Sequence, residues 1–186
     1  MKIVVFNLIS LDGYFEGKNH DISWHNVDNE FNEFAIKQTA QFGAIIFGRT
    51  TYELMRGYWP TEQEIKDDPI VANQMNLIPK IVFSKSLKEV KETKYWKNIE
   101  LFHSIKPQDV KKWKKEAKKP IAIFGSGTIV DQFSNLGLVD EYRLLVNPVV
   151  LGEGTPLFKS SKKFNLKLVS IREFKNGNVL LTYVPK

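Results

Sequence analysis

The sequence predicts an α/β fold: one domain over residues 1–186, on a mixed, mostly parallel sheet with helices on both faces and a C-terminal antiparallel hairpin. Three observations predict it. From Lys2 to Leu136, short apolar runs alternate with polar turns and helix-spaced segments. After Leu136 only strand-like runs remain, the last two joined across Lys175-Asn176-Gly177, and Asn-Gly between alternating strands is a strong hairpin signal. No Pro/Gly/Ser linker, low-complexity stretch or internal repeat divides the chain.

The elements follow in order. Lys2 to Ile9 is rich in Val, Ile and Phe, too uniformly apolar for a half-exposed strand, so it reads as a central strand buried on both sides. Ser10-Leu11-Asp12-Gly13 breaks it with turn chemistry. Phe31, Phe34, Ala35, Gln38 and Phe42 keep helical spacing over Asn29 to Phe42, behind Asp28 as N-cap. Ala44 to Phe47 is a second buried strand, running into Gly48-Arg49-Thr50-Thr51 and a short helix from Tyr52 to Arg56. Pro69 opens a helix reaching Leu77. Strands at Lys80–Phe83, Ile99–Phe102 and Ile121–Phe124 then alternate with helices at Gln108–Lys118 and Thr128–Leu136. Val139–Val150, interrupted by Pro148, leads to the hairpin strands Phe164–Phe174 and Asn178–Val184.

Composition narrows the function. A 186-residue chain that is 42% hydrophobic buries about 70% of the surface its unfolded form exposes, so its core needs no staple. The absence of cysteine excludes disulfides, thiolate metal sites and a Cys nucleophile. His20, His25 and His103 show no metal-ligand spacing, so no metal is expected. The longest apolar runs, Ile3–Phe6 and Val146–Leu151, fall far short of the ~20 residues that span a bilayer. Lys2 leads straight into a strand with no cleavage site after it, so the expectation is a cytoplasmic protein with no membrane partner. Of the net charge of +6, +4 lies in Gln108–Lys119, where Val110, Trp113 and Ala117 form one apolar stripe among lysines. That is the pattern of a solvated surface helix; without Arg-aromatic interleaving, a nucleic-acid partner is not expected.

Ligands of a mostly parallel sheet bind outside the carboxyl ends of its strands, and three junctions there have suitable chemistry. At Ile123-Phe124-Gly125-Ser126-Gly127-Thr128 two glycines precede a helix start, offering N–H groups to a pyrophosphate. The third glycine of the dinucleotide fingerprint is missing, since Thr128, Ile129 and Val130 follow, and a tight turn that merely needs glycine fits equally. A side chain at Gly125 or Gly127 is expected to obstruct a ligand more than it disturbs the fold. Gly48-Arg49-Thr50-Thr51 combines close approach, a five-donor guanidinium and two hydroxyls; an N-cap threonine beside a surface arginine is the alternative. Ser84-Lys85-Ser86 repeats the pattern. Three phosphate-suited ends on one sheet point to an extended nucleotide.

Chemistry beside a bound nucleotide asks for positioning, a dry pocket and an acid. Asp12, at the end of the first strand, is the first candidate, with an Asx-turn before Gly13 as the alternative. Glu153, between Gly152 and Gly154, is the second, followed by Glu30 and Glu33. Trp24, Tyr58 and Trp59 suit stacking on a heterocycle as well as core packing.

Ser10-Leu11-Asp12-Gly13-Tyr14, Gly48-Arg49-Thr50-Thr51-Tyr52-Glu53, Ile123-Phe124-Gly125-Ser126-Gly127, Asp140-Glu141-Tyr142-Arg143 and Pro148 to Gly154 together resemble the dihydrofolate-reductase-like superfamily. Within it, the chain is similar to stand-alone relatives of the reductase domain of the bifunctional riboflavin-biosynthesis deaminase-reductase. The resemblance implies NADPH held by Gly48, Arg49, Thr50 and Thr51 and by Gly125, Ser126, Gly127, Thr128 and Ile129, with Ser84 and Lys85 at the adenosine phosphate and a cis peptide at Gly125-Ser126. It implies reduction of a small heterocycle or ribosylated aminopyrimidine, as by a 5-amino-6-(5-phosphoribosylamino)uracil reductase of riboflavin biosynthesis. A non-catalytic NADPH-binding module is the alternative. Dihydrofolate reductases place an acid in their first helical turn where this chain has Asn32, so folate reduction is not expected; without cysteines, neither is the zinc deaminase half. Leu166, Leu168, Val179 and Leu181 in the hairpin lead to the expectation of a homodimer through that end of the sheet.

Overall fold

A computed structural model describes residues 1–186. Its strands are β1 (Ile3–Ser10), β2 (Tyr14–Glu16), β3 (Ala44–Gly48), β4 (Lys80–Phe83), β5 (Ile99–Phe102), β6 (Ile121–Ile123), β7 (Glu141–Asn147), β8 (Thr155–Pro156), β9 (Leu166–Glu173) and β10 (Val179–Pro185). The helices are α1 (Asn29–Thr39), α2 (Arg49–Tyr58), α3 (Glu62–Asp67), α4 (Pro69–Leu77), α5 (Pro107–Glu116) and α6 (Gly127–Asn135).

Period-two burial along the strands sets the layers. Ile3, Val5 and Ile9 of β1 face one core together with Val110 of α5 and Ile129, Val130 and Phe133 of α6. Val4 and Phe6 face the opposite core, where α1 contributes Phe31 and Phe34. In β3, Ala44 and Ile46 join the first core, whereas Ile45 and Phe47 pack with Tyr52 of α2 and Val71 and Met75 of α4. Helices therefore cover both faces of one eight-stranded sheet, ordered β5-β4-β3-β6-β1-β7-β10-β9. Every pairing from β5 to β7 is parallel; β10 alone runs antiparallel to its neighbours β7 and β9. No helix is long and apolar enough to cross a membrane.

Several boundaries differ from the sequence expectation. Helix α1 ends at Thr39, and Phe42 is buried from the following turn, where its N–H reaches the Thr39 carbonyl. Helix α2 starts at Arg49 rather than Tyr52, so Arg49, Thr50 and Thr51 form its first turn. The Val139–Val150 run shortens to β7, a parallel partner of β1. The short pair β2–β8 and helix α3 have no counterpart in the expectation, because strands this brief and a segment this polar carry no apolar period. In α5, Val110 is fully buried and Trp113 packs on the same core, leaving the lysines outside.

Lys80, only 1% exposed, is a buried cation at the amino ends of the strands. Its Nζ donates to the carbonyls of Asn76 (2.9 Å), Ile78 (2.7 Å) and Lys97 (3.0 Å) and lies 4.3 Å from the centre of the Trp96 ring. Two of these bonds satisfy carbonyls at the end of α4, and the third ties that end to Lys97 ahead of β5. Burial pulls this lysine from 10.5 down to about 7, against the opposing pull of Glu92.

Candidate functional site

The register of the central strands creates the site. Strand β6 ends at Ile123, opposite Val5, while β1 continues to Ser10 beside β7. Beyond Val5, β1 has lost one partner, and the chain after β6 turns away through Phe124, Gly125 and Ser126. Gly125 has φ of +115°, and the Gly125–Ser126 peptide is cis, as the resemblance implies.

Gly48 donates its N–H to the Gly125 carbonyl at 2.9 Å. The approach leaves no room for a side chain, since a Cβ on Gly48 would stand 2.5 Å from Ser126 Oγ and 3.2 Å from Ser126 N. The start of α2 is thereby fixed beside the start of α6. Neither N-cap, Gly48 or Ser126, spends a side chain on capping its helix. Two sets of first-turn N–H groups and two positive helix ends therefore meet at one place. Thr51 adds its hydroxyl, with Oγ1 3.1 Å from where a Gly125 Cβ would be.

Two residues of this turn are tightly packed. A Cβ on Gly127 would meet Pro156 O at 3.1 Å, Leu157 O at 3.3 Å and the Phe15 ring at 3.2 Å, so a side chain there disturbs the fold directly. Ile129 has its side chain buried in the core, and its N–H is donated to Ser126 O at 2.9 Å. Thr128 is exposed at the opening of α6.

The second and third junctions are brought together. Ser84 Oγ accepts the N–H groups of Ser86 (3.2 Å) and Leu87 (3.0 Å), which shapes the turn after β4. Arg49 Nη1 donates to Ser86 Oγ at 2.9 Å, and Arg49 Nε donates to Glu53 one helical turn on at 2.8 Å. Lys85 is exposed beside them. His103, after β5, lies with Nδ1 2.8 Å from the Ser84 carbonyl, which can only accept, so Nδ1 carries the hydrogen. Ser86 belongs to the third junction as read from the sequence, whereas Glu53 and His103 are members that sequence reasoning did not place here; only the i,i+4 spacing of Arg49 and Glu53 signalled one of them. Alongside runs an open groove of about 530 Å3 lined by His20, Arg49, Thr50, Glu53 and Leu54. His20 is held at its edge by a 2.9 Å contact to the buried Glu16.

The acid candidates are engaged elsewhere. Asp12 accepts from Ser10 Oγ (2.6 Å) and from the N–H groups of Leu151 (3.2 Å) and Gly152 (2.8 Å). The Ser10 hydroxyl first, and then the Gly152 N–H, hold its carboxyl below the ordinary range. In this arrangement it is an ionised tie between two loops. Glu153 is exposed and faces Lys18 at 3.5 Å. Glu30 accepts from Lys175 N and Arg172 Nη2 at 3.0 and 3.4 Å, and Glu33 is exposed. Tyr58 and Trp59 pack edge-to-face on one another, and Trp24 packs on His25.

A cluster of asparagines holds the segment before α1 over the ends of the central strands. Asn26 N donates to Asn147 Oδ1 at 2.9 Å, and Asn176 Nδ2 and Asn178 Nδ2 donate to Asn26 O at 2.9 and 2.8 Å. Nothing in the spacing of these residues announces the contact. The segment half-buries His25, whose buried Nε2 has no hydrogen-bond partner; desolvation takes its pKa from 6.5 down to about 4, with Asp21 opposing.

Comparison with known proteins agrees with this architecture. The uncharacterized protein YyaP of Bacillus subtilis (strain 168) is 34% identical over 185 residues, covering 98% of this chain and 94% of its own. A Shewanella sp. PV-4 protein named for riboflavin biosynthesis superposes with a TM-score of 0.76 at 22% identity, over 100% of this chain and 99% of that one. Enterococcus faecalis dihydrofolate reductase, solved with NADP(H) and RAB-propyl, superposes with a TM-score of 0.66 at 12% identity, over 100% and 96%. The fold is dihydrofolate-reductase-like. The family model described as RibD C-terminal domain matches residues 1–180, and the chain belongs to that family.

Proposed function

We propose that this protein is an NADPH-dependent reductase acting on a small heterocycle of the aminopyrimidine type, in the manner of a 5-amino-6-(5-phosphoribosylamino)uracil reductase. The observation that carries the reading is the meeting of two uncapped helix starts, α2 and α6, across the 2.9 Å bond from Gly48 to Gly125. Backbone donors so arranged suit a pyrophosphate. Arg49, Thr50, Ser84, Lys85 and Ser86 would hold the adenosine 2′-phosphate through charge and hydroxyl donors. Gly125, Ser126, Gly127, Thr51 and the exposed start of α6 at Thr128 would line the path of the remaining cofactor. When bound there, NADPH supplies the hydride and the protein supplies position.

The residues present fit that cofactor at its charged end. Asp12 enters as the carboxylate that ties the loop after β1 to Leu151 and Gly152 and so shapes the open end of the crevice. Family membership and the riboflavin-biosynthesis name of the Shewanella protein support the substrate class. The test is to titrate NADPH, then to follow its oxidation with pterins, dihydrofolate and ribosylated aminopyrimidines. Oxidation with an aminopyrimidine is expected; failure to bind NADPH overturns the reading.

One observation favours a second reading, a non-catalytic NADPH-binding module: Asp12, Glu153 and Glu30 are all engaged in surface or loop contacts. Tight NADPH binding without oxidation by any acceptor in that series would select it.

A further inference from the structure

We infer that Asn7 is a cofactor-binding residue that reads the carboxamide of the nicotinamide ring; the inference rests on the NADPH reading above. Asn7 sits on β1 between Val5 and Ile9, on the side that otherwise faces an all-apolar core. It is only 6% exposed, and its Oδ1 has no hydrogen-bond partner. A buried, unpaired amide oxygen weakens a fold and is characteristic of a site whose partner comes from outside.

Its position says which partner. Asn7 lies two residues beyond Val5, the last β1 residue paired with β6, so it borders the opening where the glycine turn leaves the sheet. Its Nδ2 is 3.7 Å from the point a Gly125 Cβ would occupy, and Thr51 Oγ1 and the Phe15 ring stand 3.1 and 3.7 Å from the same point. An amide, a hydroxyl and an aromatic edge thus converge on the one face that Gly125 leaves bare. A phosphate would need donors only, and those are gathered at the helix starts and around Arg49. The asparagine amide offers a donor and an acceptor in one plane, which a primary carboxamide matches with the same pair reversed. In the proposed cofactor only the nicotinamide carries that group.

The test compares NADPH with adenosine 2′,5′-bisphosphate, which lacks the nicotinamide, by calorimetric titration of wild type, Asn7→Leu and Asn7→Ala. Asn7→Leu keeps the shape of the side chain and removes both polar atoms. NADPH affinity is expected to fall about tenfold or more, while bisphosphate affinity stays within about twofold. The unfolding midpoint of Asn7→Leu is expected to hold or rise, which a merely structural amide would not allow. Asn7→Ala keeps the comparison available should leucine not fold. Unchanged NADPH affinity, or equal weakening of both ligands, overturns the assignment. Wild type that binds the bisphosphate as tightly as NADPH overturns the Asn7 contact alone; wild type that binds neither overturns the cofactor reading beneath it.

Discussion

Arg49 Nη1 donates to Ser86 Oγ at 2.9 Å, joining the first turn of α2 to the turn after β4 across 37 positions of sequence. The same guanidinium is shared with Glu53 at 2.8 Å, so the cation proposed for the adenosine phosphate already has an anionic neighbour. Glu53 was not among the sequence candidates, and its charge would oppose the phosphate proposed for Arg49.

Arg49→Ala is therefore expected to cost one to two decades of NADPH affinity, from about 1.5–3 kcal/mol for a charge-assisted contact, with NADH nearly unaffected. Glu53→Gln is expected to act in the opposite direction and tighten NADPH several-fold. Titrating both cofactors against both variants at fixed ionic strength checks it; parallel changes in NADPH and NADH would remove these residues from the 2′-phosphate site.

Gly48→Ala is expected to part the two helix starts, since the new Cβ would meet Ser126 Oγ at 2.5 Å and Ile129 Cγ1 at 3.1 Å. Overpacking of this kind costs about 1–3 kcal/mol. Removing the hydroxyl with Ser126→Ala should recover part of both stability and NADPH binding. A double-mutant cycle by denaturant unfolding measures that coupling, and additive losses would show that the contact is not the cause.

His25 is expected to make the fold acid-sensitive. The folded protein protonates it near about 4, the unfolded chain near 6.5, so unfolding takes up a proton between these values. Stability then falls as pH drops through that window, by at most about 3 kcal/mol. His25→Phe should flatten the curve there, as read from denaturant midpoints between pH 4 and 7; an unchanged slope would assign the sensitivity to other groups.

Lys80 gives the reverse window. Its folded value of about 7 lies below the ordinary 10.5, so the unfolded chain binds the extra proton and stability rises with pH between them. Lys80→Met is expected to abolish that rise. It also takes the ammonium donor from three carbonyls, of which Asn76 O keeps the Lys97 N–H at 3.1 Å, costing about 2 kcal/mol or more at neutral pH. Thermal unfolding across the window reads both effects, and a variant as stable as wild type would show that the carbonyls find other donors.

We propose a homodimer through the β9 edge. The residues that carry it differ from the expected set: Leu166, Val179 and Leu181 are half-buried, whereas Leu168 (44%), Val169 (58%) and Ile171 (56%) are exposed on a strand whose outer ladder is unpaired. Sedimentation at micromolar concentration should give a dimer that Ile171→Lys dissociates; a wild-type monomer removes the proposal.

Residues Lys2 to Leu136 announced the architecture because each buried strand and amphipathic helix carries its own period, and Asn176-Gly177 marked the hairpin by local turn chemistry alone. Asp28 was legible as a cap and is one, accepting from Phe31 N at 2.8 Å. The strand ends at Gly48, Ser84 and Gly125 were legible as places where anions bind, since glycine, hydroxyl and cation at a strand-to-helix turn is a local pattern. Which of them touch was not. The Gly48–Gly125 bond, the Arg49–Ser86 bond and the asparagines around Asn26 join residues from 37 to 152 positions apart, and only strand order and register bring them together. The same tertiary context made Asp12 an ionised tie and sent Ile129 into the core. It also left Asn7 Oδ1 without a partner, at a point where β6 has stopped opposite Val5 while β1 continues beside β7, and no single segment of the chain records where its neighbour ends.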